Sequence, residues 1–332
     1  MLIYRTVSTL RINEMFSKIT AHKARIVVYH GVTKEIPKVF NWQQIPLAQF
    51  IEHMKHLKKH YHVVPLPILL EVMRNKKKYP KRWVALTFDD GYENNFSVVY
   101  PILRDLNFPA TFFISTAFIE NGNKSLWFDL IYNEIVNYPG SDIDLSSCGL
   151  GILDTSTISA KSHAISLLCH QLKLFSYQEM LATLEGVFKK EMKKIGEGIL
   201  FPGMDWKQIR ILALDPLMTI GGHSHTHPIL TNLSTEEAWR EIDTNKKLLE
   251  SHTKKPVAIF SYPNGNWDAR LVSLLKRAGY EFALTTEENF VASNPYAVER
   301  ITVRNPSTPC YYEALVSGLI PIMKRYLGSF KH

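Results

Sequence analysis

Two hydrophobic rhythms alternate along the chain. Continuous apolar runs at Arg25 to Tyr29 (RIVVY), Trp83 to Phe88 (WVALTF), Ala110 to Ser115 (ATFFIS), Leu217 to Ile220, Val257 to Phe260, Phe282 to Thr285 and Val298 to Val303 are bounded by polar residues, glycine or proline. Runs of this kind read as strands buried on both faces. Between them, 49–60, 67–76, 94–106, 235–251 and 268–278 carry apolar positions at helical spacing, and His62 to Leu66 reads as briefly extended. Ser234 or Thr235 is placed to cap the fourth helix and Asn266 the fifth, which Gly279 stops. Strand, helix and strand within about 30 residues make a βαβ unit and hence a parallel sheet.

The pattern changes over 119–200. A glycine-containing loop before Trp127, a weakly patterned stretch 140–159 and helical spacing at 160–173 and 177–194 predict a mostly helical insertion without a core of its own. Residues 306–332 read as a C-terminal helical tail, and no internal repeat or low-complexity tract is present. The expectation is one α/β domain over 1–332: a closed or nearly closed α/β barrel of about seven strands, with a doubly wound open sheet as the alternative.

Composition narrows this. With 332 residues, 45% of them apolar, the chain can bury a sizeable core. Its net charge of +8 is concentrated in Lys76 to Arg82, Lys189 to Lys194 and Lys254 with Lys255, which favours anionic partners. No basic run is interleaved with aromatics as a nucleic-acid stacking surface requires, so nucleic acid is not expected as a partner. Cys148, Cys169 and Cys310 are odd in number and never form CxxC, which fits a reducing compartment and excludes a thiolate zinc site. The first twenty residues lack an apolar signal core, and no window reaches the ~18 apolar residues of a membrane span. A cytoplasmic protein is expected, with peripheral contact at the inner membrane surface through lysines or through 314–327.

The candidate chemistry sits just after the strands. Asp89 and Asp90 follow VALTF; two adjacent carboxylates at a core boundary repel each other and call for a metal ion or an arginine. His30 follows the first strand, and Gly221-Gly222-His223-Ser224-His225-Thr226-His227-Pro228 follows the fourth. The two glycines free the backbone to turn and Pro228 biases His227 away from the α region, predicting a loop wrapped around an ion. In a parallel barrel the C-terminal strand ends share one face, so these groups converge there. Two imidazoles plus one carboxylate leave coordination positions open, as in a catalytic divalent site.

Thr87 to Gly91 (TFDDG), His223 to Pro228 (HxxxHP) and Phe260 to Gly265 (FSYPNG) resemble, in order and spacing over roughly 25–305, the motifs of the polysaccharide deacetylase family, carbohydrate esterase family 4. The resemblance implies a distorted (β/α) barrel of about seven strands and a metal-dependent N-deacetylase. Asp90, His223 and His227 would hold a divalent ion, most often Zn2+, Asp89 would be the general base, and the Asn264 backbone N–H the oxyanion donor. His225 has no role in the family. The chain departs from the pattern twice. The third-motif arginine is Ser261, for which Arg300 or Arg304 is the candidate replacement, and a C-terminal Leu-x-His is missing. His30, in VVYHGV, resembles the general acid of the permuted branch that includes poly-N-acetylglucosamine deacetylases.

Tyr92, Tyr262, Trp127, Phe128 and Trp267 lie near these turns and are candidates to meet sugar rings. The expected function is removal of an acetyl group from an N-acetylated sugar, nucleotide- or lipid-linked, as a precursor of surface polysaccharide or glycolipid. The alternatives are an O-deacetylase, a glycan-binding pseudoenzyme of the same fold and a non-haem iron oxygenase. Oxygen-independent acetate release would exclude the last.

Overall fold

A computed structural model of the protein describes residues 12–120, 125–188, 200–287, 289–291 and 294–327. The expected basic run Lys189 to Lys194, the end of the 177–194 helix, the first eleven residues and the last five of the tail lie outside the described residues.

The apolar runs become seven parallel strands: β1 (Arg25–Tyr29), β2 (Trp83–Phe88), β3 (Ala110–Ile114), β4 (Met218–Gly222), β5 (Ile259–Ser261), β6 (Phe282–Leu284) and β7 (Ile301–Thr302). Their spatial order is β6-β5-β4-β3-β2-β1-β7, and the short strand His62–Val63 pairs with the start of β2. Val298 pairs with Leu284 of β6, while Ile301 and Thr302 pair with Val27 and Val28 of β1. The segment from Val298 to Thr302 therefore reaches both edges of the sheet, which curls into a distorted (β/α) barrel rather than staying an open sheet.

Alternate strand residues serve two clusters, as the period of a strand requires. Val27, Leu86 and Phe112 join the large core beneath the outer helices. Their neighbours Ile26, Ala85 and Phe113 meet Ile259, Leu284 and Val298 in a second cluster, joined by Leu69 and Leu70 of the helix Leu66–Arg74.

The helix Thr235–Thr253 begins with a capping box: Ser234 accepts from the Glu237 N–H and Glu237 returns to the Ser234 N–H. The helix Ala269–Ala278 is capped by Asp268, not by Asn266, and Gly279 ends it in the left-handed region as expected.

The insertion differs from expectation in one respect. Its helices α1 (Trp127–Asn137), α2 (Ile158–Leu172) and α3 (Tyr177–Phe188), with an antiparallel hairpin of Asp142–Asp144 and Ile152–Asp154, bury an apolar cluster of their own around Ile131, Ile135, Leu168 and Leu184. The apolar residues that support that cluster are spread over about sixty positions, so no local period reveals it.

Candidate active site

Strand register builds the site. Tyr29 pairs with Phe88 and Ile114 with Gly222, so His30, Asp89 and His223 each emerge one residue past a paired strand end, on the same rim. The Asp89 N–H still donates to the Tyr29 carbonyl (2.9 Å), after which Asp90 takes a left-handed φ of 76° and Gly91 one of 97°. The reversal sends the two neighbouring carboxylates to different partners.

The glycine pair before the histidines does not make the turn. Neither Gly221 nor Gly222 has a positive φ; the turn is made by Ser224 (φ 60°) and His227 (φ 62°). The glycines are there for room: a Cβ on Gly221 would strike the Phe113 ring, and one on Gly222 the Tyr280 hydroxyl and Asn245.

Asp90, His223 and His227 are buried, and one ligand atom from each lies within 4.8 Å of the others. Asp90 Oδ1 is 3.2 Å from His223 Nε2 and 3.3 Å from His227 Nε2. His223 Nδ1 donates to the Ser261 carbonyl (2.7 Å), so its neutral ring turns an Nε2 lone pair on the carboxylate. Neither Asp90 oxygen has a hydrogen-bond donor in good geometry. A nitrogen lone pair aimed at a buried carboxylate oxygen is repulsive unless a proton or cation lies between them, and this donor set fits a divalent ion. Burial alone would raise the Asp90 carboxyl, but the two imidazoles beside it hold it well below the usual range. Burial would depress His223, but the charge of Asp89, with Asp90, raises it.

Asp89 has a different partner. Arg300 Nη1 and Nη2 donate to its Oδ1 and Oδ2, each at 2.7 Å, and Nη2 also donates to Ser261 Oγ (2.8 Å). Burial would raise the Asp89 carboxyl, and Arg300, with smaller help from His223 and His30, keeps it below the usual range. The guanidinium thus arrives from the end of the chain, over the small Ser261. Arg304 stands apart, exposed, with its guanidinium carbon 5.7 Å from the Trp42 ring centroid.

His30 is buried, edge-on to Trp42 at 5.2 Å. Burial lowers its pKa, with Asp90 and Asp89 pulling the other way, which places the ring within the field of both carboxylates. Asn264 lies in the Pro263–Gly265 turn with φ 57°, and its Oδ1 accepts from Lys173 Nζ (2.8 Å). His225 leaves the cluster; its Nδ1 meets Thr116 Oγ1 at 2.9 Å, while Glu241 receives the N–H groups of His225 and Thr226.

Two of the expected sugar-binding aromatics are core residues. Tyr92 is fully buried and donates to Asp129 Oδ2 (2.8 Å); Tyr262 is fully buried and donates to the Tyr296 carbonyl (3.1 Å). Their hydroxyls found partners inside, so neither ring faces a substrate. Trp127 packs in the insertion and lines a narrow cleft beside Pro228; Phe128 lies edge-on to His227 at 5.3 Å; Trp267 is half-buried against the main core. Trp42, 39% exposed beside His30, was missed, because it lies twelve residues from the nearest motif residue and is brought back by the Asn305 N–H donating to its carbonyl (2.9 Å).

A parallel barrel with an Asp-His-His cluster and a second, arginine-held carboxylate on its C-terminal rim is the architecture of a carbohydrate deacetylase, and the chain belongs to the polysaccharide deacetylase family, whose sequence profile matches residues 76–283. The profile ends before Arg300 and begins after His30. The chain is 22% identical over 314 residues to the poly-beta-1,6-N-acetyl-D-glucosamine N-deacetylase of Staphylococcus aureus (strain MSSA476), covering 90% of this chain and 80% of that one. Two solved structures share the fold. The Streptococcus pyogenes deacetylase PplD in complex with acetate has a TM-score of 0.60 at 16% identity, with 90% of this chain and 99% of that chain covered. IcaB from Ammonifex degensii has a TM-score of 0.58 at 14% identity, with 89% and 97% covered.

Proposed function

We propose that this protein is a metal-dependent hydrolase that removes the acetyl group from an N-acetylated sugar. The observation that carries the reading is the Asp90 carboxylate, buried between two imidazoles with neither oxygen in good hydrogen-bond geometry to a donor. Asp90, His223 and His227 would hold a divalent ion, Zn2+ being the first candidate, which when bound supplies Lewis-acid polarisation of the acetamide carbonyl and a more acidic water. Asp89, kept ionised by Arg300, takes the proton of the attacking water. Asn264, in its left-handed turn, would offer its backbone N–H to the developing oxyanion, and His30, within the field of both carboxylates, would protonate the departing amine. With Arg300 at Asp89, the serine at 261 is no longer a reason to prefer the pseudoenzyme.

The finer reading is a phosphate-bearing, nucleotide- or lipid-linked precursor handled at the cytoplasmic face of the membrane, and the net charge of +8 supports it. Among the described residues no helix is long and apolar enough to cross a membrane. Acetate release from N-acetylated oligosaccharides and acetylated sugar nucleotides, with the protein zinc-loaded and then stripped by chelator, tests the activity and its metal dependence together. Cell fractionation tests the location. Zinc-loaded protein that frees no acetate from any of these sugars would sink the proposal.

A further inference from the structure

The two histidines of the Asp-His-His cluster are held in different ways. His223 has its Nδ1 on the Ser261 carbonyl (2.7 Å), whereas His227 Nδ1 is buried without a hydrogen-bond partner among the described residues. A metal-binding imidazole is ordinarily aimed by a hydrogen bond on its other ring nitrogen. His227 therefore takes its direction from packing, with the Phe128 ring edge-on to it at 5.3 Å, and from its own backbone.

That backbone is an unfavourable one. Ser224 and His227, at the two ends of the turn, both take left-handed φ angles, 60° and 62°, where a Cβ crowds the chain. Such a turn persists only where its surroundings fix it. The helix Thr235–Thr253 brings two groups to it from positions one turn apart, 241 and 245. Glu241 Oε2 accepts from the His225 N–H (2.9 Å) and the Thr226 N–H (2.7 Å), and its Oε1 accepts from the Thr226 hydroxyl (2.7 Å). Asn245 is fully buried and donates its Nδ2 to the Ser224 carbonyl (2.6 Å) and to the Ile114 carbonyl (2.9 Å), which joins the loop to the end of β3. One side chain thus holds the loop by its N–H groups and the other by a carbonyl. Ser224 Oγ in turn accepts from the His227 N–H (3.1 Å), so a fixed Ser224 fixes the residue that carries the ligand. Gly222 fits the same arrangement, because a Cβ there would meet the Asn245 amide.

We infer that Glu241 and Asn245 are positioning residues for the metal site: they clamp the 224–226 backbone and so keep His227 Nε2 on the ion that it shares with Asp90 and His223. Neither has to touch the ion. The inference rests on the metal-dependent reading and adds the residues that set the geometry of one of its ligands.

The test is zinc affinity, measured by competition with a chelating dye, on wild type, Glu241→Leu, Glu241→Gln and Asn245→Ala, with the melting temperature of each metal-free protein taken alongside. Glu241→Leu and Asn245→Ala are each expected to weaken zinc by about tenfold or more. Glu241→Gln should keep most of the affinity, because an amide oxygen can still accept from both N–H groups while the amide nitrogen donates to the Thr226 hydroxyl. A Glu241→Leu or Asn245→Ala protein that melts lower yet binds zinc as tightly as wild type overturns the assignment for that residue, leaving it a purely structural part. Should Glu241→Leu not fold, Glu241→Asp, whose carboxylate falls one methylene short, is read in its place with the same two outcomes. Wild type that binds no zinc sinks the metal reading by itself. Amide hydrogen exchange over 223–227 in the metal-free proteins then decides the clamp: faster exchange in the Glu241 and Asn245 variants supports it, and unchanged exchange overturns it.

Discussion

Arg300 grips Asp89 with both terminal nitrogens, each 2.7 Å from a different carboxylate oxygen, and both side chains are buried. Ser261 Oγ lies between them, donating to Asp89 Oδ2 (3.2 Å) and accepting from Arg300 Nη2 (2.8 Å). A serine at 261 leaves the space into which a guanidinium from the last strand can enter. Arg300→Met should leave Asp89 buried without its cation, cost about 3–5 kcal/mol of stability and raise the acid limb of the pH–rate profile. Adding Ser261→Arg should restore a measurable part of kcat by bringing a guanidinium from the other side. Arg300→Met with unchanged pH profile and stability would show that the pair has no such role.

The two aspartates should separate cleanly in metal analysis. Asp89→Asn is expected to retain its ion and lose acetate release by ~100-fold or more. His223→Ala is expected to lose both, because the lone pair opposite Asp90 disappears. Metal content by atomic absorption and acetate by coupled assay are the two readouts; an Asp89→Asn protein that turns over normally would reassign the base.

His30 stands one residue past β1, within the field of both carboxylates and outside the residues the family profile matches. His30→Ala should reduce acetamide hydrolysis by ~100-fold, since an amine leaves poorly unless protonated. On an aryl acetate, whose leaving group needs no proton, the loss should be much smaller. Equal losses on the two substrates would mean that His30 supports the structure rather than the chemistry.

Acid stability should be governed in part by His53. Its ring is buried, stacked on Tyr312 at 3.8 Å, with Nε2 donating to the Ser307 carbonyl (2.9 Å) and Nδ1 facing the Tyr29 hydroxyl (3.2 Å). Burial lowers its pKa from 6.5 to about 4. Between those values the unfolded chain binds a proton that the folded chain does not, so the stability present above pH ~6.5 is lost as pH falls towards 4, by about 3 kcal/mol. His56, lowered to about 4 chiefly by burial, adds in the same direction. Melting temperatures measured from pH 7 to 4.5 should fall less steeply for His53→Gln than for wild type; parallel curves would refute the assignment.

The barrel and the side chains that meet at its rim were legible in the sequence for different reasons. Seven apolar runs separated by helical spacing leave few topologies open, because parallel strands must be buried on both faces and connected by crossovers. The Asp pair and the histidine run were visible because each follows a strand directly, and a parallel barrel delivers all such positions to one end.

What the sequence by itself determined was thus the barrel, the rim and the residue types that could bind an ion there. Only the tertiary structure decided that Arg300 rather than Arg304 meets Asp89, since two arginines four residues apart differ only in which side of the last strand they occupy. It likewise decided that Gly221 and Gly222 make room instead of a turn, and that Tyr92 and Tyr262 find hydroxyl partners inside while Trp42 reaches the mouth. The physical reason is common to all of these. Strand formation depends on local periodicity, whereas a side chain's direction and partner depend on register, twist and packing between segments hundreds of residues apart.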